Sequence, residues 1–191
     1  MSRAKSVFLM FILMLFISGI VVFPEMLLAD CELSEARSRF YAAIEDEKQI
    51  KPAIECFEKL QTEVKINPGR VQVYLGALEA LKGKHATWPH SKLKGVLKGL
   101  EIMDQGIEES PNDIEALFIH SSTCYHLPFF FKRQDQAQQH FERIVHLLPE
   151  HYEDYSLALM INVIEFLELN ANLNHEEKNK LKDFKNIILD E

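Results

Sequence analysis

His120 and Cys124 stand four apart in "FIHSSTCYH", which puts an imidazole and a thiol on one face of a helix, with His126 close behind. A soft or borderline metal accepts such ligands. Two ligands on one helix do not make a site, and His140, His146, His151 and His175 are scattered, so no metal is expected. A free cysteine in this setting is a small core residue. The chain has no glycine-rich phosphate loop, no nucleophile elbow and no His-Glu-x-x-His motif. "EESPNDIE" and "EHYED" gather carboxylates, but at helix starts, where acids cap free N–H groups and meet the positive end of the dipole. Glu108, Glu109, Asp113 and Glu115 are therefore expected to be structural. No catalytic residue and no cofactor is assigned, and the chain reads as non-enzymatic.

Two other stretches concentrate functional side chains. "KGKHATWPHSK", residues 82 to 92, holds the single tryptophan, two histidines, a proline and three lysines, and no acid. "HLPFFFKR", residues 126 to 133, has three consecutive phenylalanines followed by two cations. Brought together, they would form a rim of Trp88, Phe129, Phe130 and Phe131 with His85, His90 and His126, ringed by Lys82, Lys84, Lys92, Lys94, Lys132 and Arg133. Such a rim would take an anionic or amphipathic partner: a lipid headgroup region, an acidic peptide or an acidic small molecule. The competing expectation is structural. Three consecutive phenylalanines cannot all stay in water, so some should cap the helices beneath them.

The elements that position these residues read as helix after helix. Arg3 and Lys5 precede an apolar run from Val7 to Phe23, and "MLLA" follows. Residues 1–29 are thus expected to be a cleaved export signal or an uncleaved anchor. "LLADC" resembles a bacterial lipoprotein signal in which Cys31 would carry lipid, although Asp30 sits where that pattern wants a small uncharged residue. Both readings place the chain in the cell envelope, exported or membrane-anchored. From residue 30 onward, apolar residues recur three and four apart. Helices are expected over 32–48, 51–66, 69–83, 91–109, 112–126, 133–147, 150–170 and 174–188, with Asn174 and Glu177 as a capping box for the last. Cys31, Cys56 and Cys124 are an odd number without CxxC spacing, which indicates no disulfide framework, though one pair can form in an oxidising compartment. With 21 basic against 29 acidic residues the net charge is −8, and a nucleic-acid partner is not expected.

One pattern occurs three times: a small residue, a large apolar residue one turn later, then a proline closing the helix. The sets are Cys56, Leu60, Pro68; Gly99, Met103, Pro111; and Ala137, Phe141, Pro149. This spacing resembles the tetratricopeptide repeat family, best in "DQAQQHFERIVHLLPEH" and next in "IECFEKLQTEVKINPGR". The resemblance implies an all-α solenoid of antiparallel helix hairpins that binds proteins or peptides and does no chemistry. Units would span about 32–68, 69–111 and 112–149, with a capping pair over 150–191. Against a period of about 34, the second unit carries roughly nine extra residues and the third roughly four. These surpluses should fall at the two hairpin turns named above, on one edge of the solenoid.

Arg70, Gln72 and Tyr74, with the stretch from Asn112 to His120, would line a concave face. In the cap, Tyr152, Leu157, Met160, Val163, Ile164 and Leu167 form one stripe, and Leu181, Phe184, Ile187 and Ile188 another. The sequence as a whole therefore reads as a non-catalytic protein- or peptide-binding or assembly module of the envelope, with membrane-surface contact as an addition. The alternative is a ligand- or metal-binding envelope protein using the rim of 82–94 and 126–133.

Overall fold

The computed structural model describes residues 31–63 and 65–189. Eight α-helices, and no strand among the described residues, make an all-α bundle: α1 Leu33–Glu45, α2 Ile50–Leu60, α3 Pro68–His85, α4 Pro89–Glu109, α5 Ile114–His126, α6 Gln134–His151, α7 Leu157–Asn170 and α8 His175–Leu189. Short 3₁₀ turns lie at Glu47–Gln49, Phe129–Phe131 and Tyr152–Asp154.

The helix starts follow from their caps. Asn67 accepts from Arg70 N–H, Asp113 from Ala116 N–H, and Ser156 from Leu159 N–H, each satisfying a donor the helix cannot. Asn174 and Glu177 form the reciprocal box: Glu177 N–H donates to the Asn174 side chain at 3.0 Å and Asn174 N–H to the Glu177 carboxylate at 2.8 Å. Cys31 and Cys56 are joined by a disulfide with Cα atoms 5.4 Å apart, which ties the chain ahead of α1 to α2. The Cys31 sulfur is thereby committed, so it is not the lipid carrier that "LLADC" suggested.

The core forms where the helices cross. Phe57 stacks on Tyr74 with ring centroids 4.5 Å apart, and Phe40 meets the same ring edge-on at 4.9 Å. All six small and large residues of the threefold pattern, Cys56, Leu60, Gly99, Met103, Ala137 and Phe141, are buried. α3 and α4 touch backbone to backbone. A Cβ on Gly76 would lie 2.7 Å from the Gly99 carbonyl, and one on Gly83 would lie 2.7 Å from the Lys92 carbonyl. Gly69 and Gly106 repeat this contact at the other end of the pair. Only glycine permits that approach.

A polar knot around the fully buried Glu115 and Tyr74 joins α1, α3 and α5. Glu115 accepts both nitrogens of the Arg37 fork at 2.6 and 2.5 Å, and the Tyr74 hydroxyl at 2.6 Å. Arg70 adds a cation 3.3 Å from Glu115 and grips Asp113. Burial works against the Arg37 charge, but the bonds to Glu115 outweigh it and raise that arginine's pKa. Of the acids expected to be structural, Asp113 and Glu115 are so, whereas Glu108 and Glu109 lie in the last turn of α4 and not at a helix start.

Several expectations are corrected. The solenoid with an N-terminal anchor helix gives way to an eight-helix bundle. In a solenoid each unit meets only its neighbours, whereas Arg37 of the first expected unit bonds directly to Glu115 of the third. The surplus of the second unit is not a loop either: α3 runs on to His85 and α4 restarts at Pro89, so the extra residues lengthen two helices. Pro149 does not end α6, which continues to His151. Leu157 and Ile187, assigned inward, are exposed. The expected signal or anchor over 1–29 lies outside the described residues. Among the described residues no helix is long and apolar enough to cross a membrane, and the envelope localisation, which rested on that segment, is not retained.

Candidate functional site

Between α1, the second half of α3, the start of α4 and α5 lies a half-open cavity of about 970 Å³. α1 contributes Phe40, Tyr41 and Ile44, and α5 contributes Phe118 and Ile119. Leu93 and Val96 come from α4, Phe166 from α7, and Phe130 and Phe131 from the link after α5. The α3 wall carries Ala77, Ala80 and Gly83, small side chains that fill little of the space. The two hydroxyls on α5 are turned away from any guest. Ser122 donates to the Ile119 carbonyl at 3.2 Å and Thr123 to the same carbonyl at 2.7 Å.

Charge gathers where α1 and α3 end and α4 begins. Lys84 Nζ donates to the Ile44 carbonyl at 2.7 Å, and Lys92 Nζ to the Lys84 carbonyl at 3.2 Å. These are last-turn carbonyls without helical partners, and cations sit well there. Glu45 is on the same lining. His126 donates from Nδ1 to the Ser122 carbonyl at 2.7 Å, which leaves its Nε2 as an acceptor when the ring is neutral.

Of the residues the sequence singled out, the cavity collects Lys92, Phe130 and Phe131, together with Lys84 and His126. Phe131 is half-buried against the core, and the Phe130 ring lies 4.6 Å from it. Trp88 and Phe129, at 67 and 83% exposure, stand outside the lining, and among the described residues Trp88 stacks on none of these rings. The expected single cluster is therefore split. His90 and Lys132 are exposed, Lys132 with a left-handed φ of 55°. His85 is half-buried with Nε2 enclosed and unpartnered. Arg133 is spent elsewhere, holding Asp104 through two bonds. Phe40, Tyr41, Ile44 and Phe166 were not foreseen, since no local pattern sets them apart from core positions.

The expected concave face is closed: Tyr74, Glu115 and His120 are fully buried, and Gln72 pairs with Gln105. The His120–Cys124 pair sits in a second cluster. His120 Nε2 donates to Asp104 at 2.9 Å, an order of acid, imidazole and thiol that suggests nucleophilic chemistry. The geometry opposes it. Cys124 Sγ is 3.8 Å from Nδ1 and 4.0 Å from Nε2, nearly equidistant from both and so in line with neither lone pair. Burial also pushes the thiol up to about 12. Burial and neighbouring His120 hold His140 down to about 4, and its Nδ1 has no partner. Asp104 stays below the usual carboxylate range because bonds from His120 and Arg133 outweigh its desolvation. Among the described residues no group of three His, Cys, Asp or Glu is placed to hold a metal, which argues against the metal-binding alternative.

Comparison with protein-family models, curated proteins and solved structures finds no match to the chain. None of these comparisons supports the tetratricopeptide resemblance, and what the structure shows is an all-α bundle.

Proposed function

We propose that the protein is a non-catalytic binding module whose cavity holds the apolar part of a partner molecule. The observation that carries this reading is the unfilled, aromatic-walled space of about 970 Å³. Protein interiors pack like organic crystals, with few voids larger than a water, and a space of this size matches the upper range of small-molecule sites, about 300–1,000 Å³. Four of the five lining helices, α1, α3, α4 and α5, are held by the Glu115 knot and the glycine contact, so the cavity is largely preformed and little ordering opposes binding.

Peptide binding is the second reading. Trp88 and Phe129 favour it as exposed aromatics outside the cavity, the residue type that anchors protein interfaces. The two separate by titration with Nile red, a neutral probe of apolar sites. Saturable binding at one probe per chain supports the cavity reading. Absence of saturable binding refutes it.

A further inference from the structure

The polar groups around the cavity specify more than apolarity. We infer that its ligand is a free single-chain amphipathic monoanion, a long-chain carboxylate, with the chain inside and the headgroup on Lys84 and Lys92. This rests on the cavity reading above and adds the chemistry of the guest.

The chain part follows from what the walls offer. Ser122 and Thr123 spend their hydroxyls on the Ile119 carbonyl, so the α5 wall presents no free donor, and a polar group pushed against it would lose its hydrogen bonds to water. An apolar chain loses nothing there. Taking a methylene as roughly the 30 Å³ of one water, the space accepts an acyl chain of ordinary length.

The head part follows from the lysines. Some cations near the surface are matched by carboxylates: Lys98 and Lys82 by Glu79, Arg133 by Asp104, Lys185 by Glu168. Lys84 and Lys92 are not. Each ammonium gives one N–H to a helix-terminal carbonyl and faces no carboxylate within ion-pair distance among the described residues. An ammonium has three donors, so each keeps two for a guest. Glu45 lines the same end, and two cations against one anion leave a single positive charge to be matched. That balance fits a monoanion better than a phosphate dianion, and disfavours a cation. The Tyr41 ring and its phenol, also on the lining, are neutral.

The test is competition against Nile red by hexadecanoate, its methyl ester, hexadecyltrimethylammonium and decanoate. Hexadecanoate should displace the probe at a concentration at least tenfold below the ester and further below the cation. Shortening the chain to decanoate should weaken binding by about fourfold per methylene. In the Lys84→Gln/Lys92→Gln variant, acid and ester should become equal, and the ratio is the readout, so a change in overall fold does not mimic it. Equal displacement by acid and ester in the unaltered protein overturns the headgroup assignment while leaving the cavity reading intact. Saturable Nile red binding with no displacement by any chain overturns the ligand class. Sedimentation with phosphatidylglycerol vesicles, undiminished by free hexadecanoate, would make the partner a membrane and also overturn it. If Nile red itself fails to bind, the cavity reading falls with the rest.

Discussion

Single side chains in this protein mostly settle structure, and their protonation exposes how. The unfolded chain protonates His140 near its ordinary 6.5, while the folded chain does so only near 4. Between those values the unfolded state holds more protons, so stability falls as pH drops through that window and is unaffected by this group above it. Thermal midpoints measured from pH 7.5 to 4 should show the decline, and His140→Leu should flatten it. Glu115 makes a larger demand. Glu115→Gln leaves the largely buried Arg37 without its counter-charge while Arg70 keeps Asp113, and chemical denaturation should show a loss of about 3 kcal/mol. The structural role of Glu115 and Asp113 was legible in the sequence because acids at a helix start have a local physical reason to be there. The partners were not, since Arg37 is distant in sequence from Glu115 and no spacing rule connects them.

At the scale of elements, periodicity located the eight described helices, most ends within a few residues, although α2 stops at Leu60 rather than 66 and α7 starts at Leu157 rather than 150. What escaped is the glycine contact. Six of the seven glycines in the chain lie on α3 and α4, in a helix pair where glycine is otherwise unfavourable. Gly99 was read as one small residue of a repeat, and its opposition to Gly76 appears only when the hairpin is closed. This gives a test by sign. Glycine to alanine within a helix ordinarily stabilises by about 0.5–1 kcal/mol. Here Gly99→Ala puts a methyl 2.5 Å from the Gly76 carbonyl and should destabilise by about 1–3 kcal/mol in denaturant unfolding. The Cys31–Cys56 bond closes a separation of 25 residues, and its reduction should cost about 3 kcal/mol, read as a lowered thermal midpoint in reductant.

At the scale of the molecule, the sequence pointed to the right neighbourhood and misread its form. It brought 82–94 and 126–133 together, and Lys92, Phe130 and Phe131 do share a cavity. It expected an exposed rim because the walls supplied by α1, α5 and α7 are apolar residues that look like any core position. Only tertiary structure shows that the small residues of α3 leave space in front of them. The most direct measurement of the central claim fills that space. Ser122 lines the cavity and its hydroxyl serves only its own helix, so Ser122→Phe should place a ring in the void. The variant and the unaltered protein are each titrated with Nile red and melted. The variant should lose saturable probe binding while its thermal midpoint is held or raised. Probe binding of unchanged affinity and stoichiometry in a folded Ser122→Phe protein would contradict it.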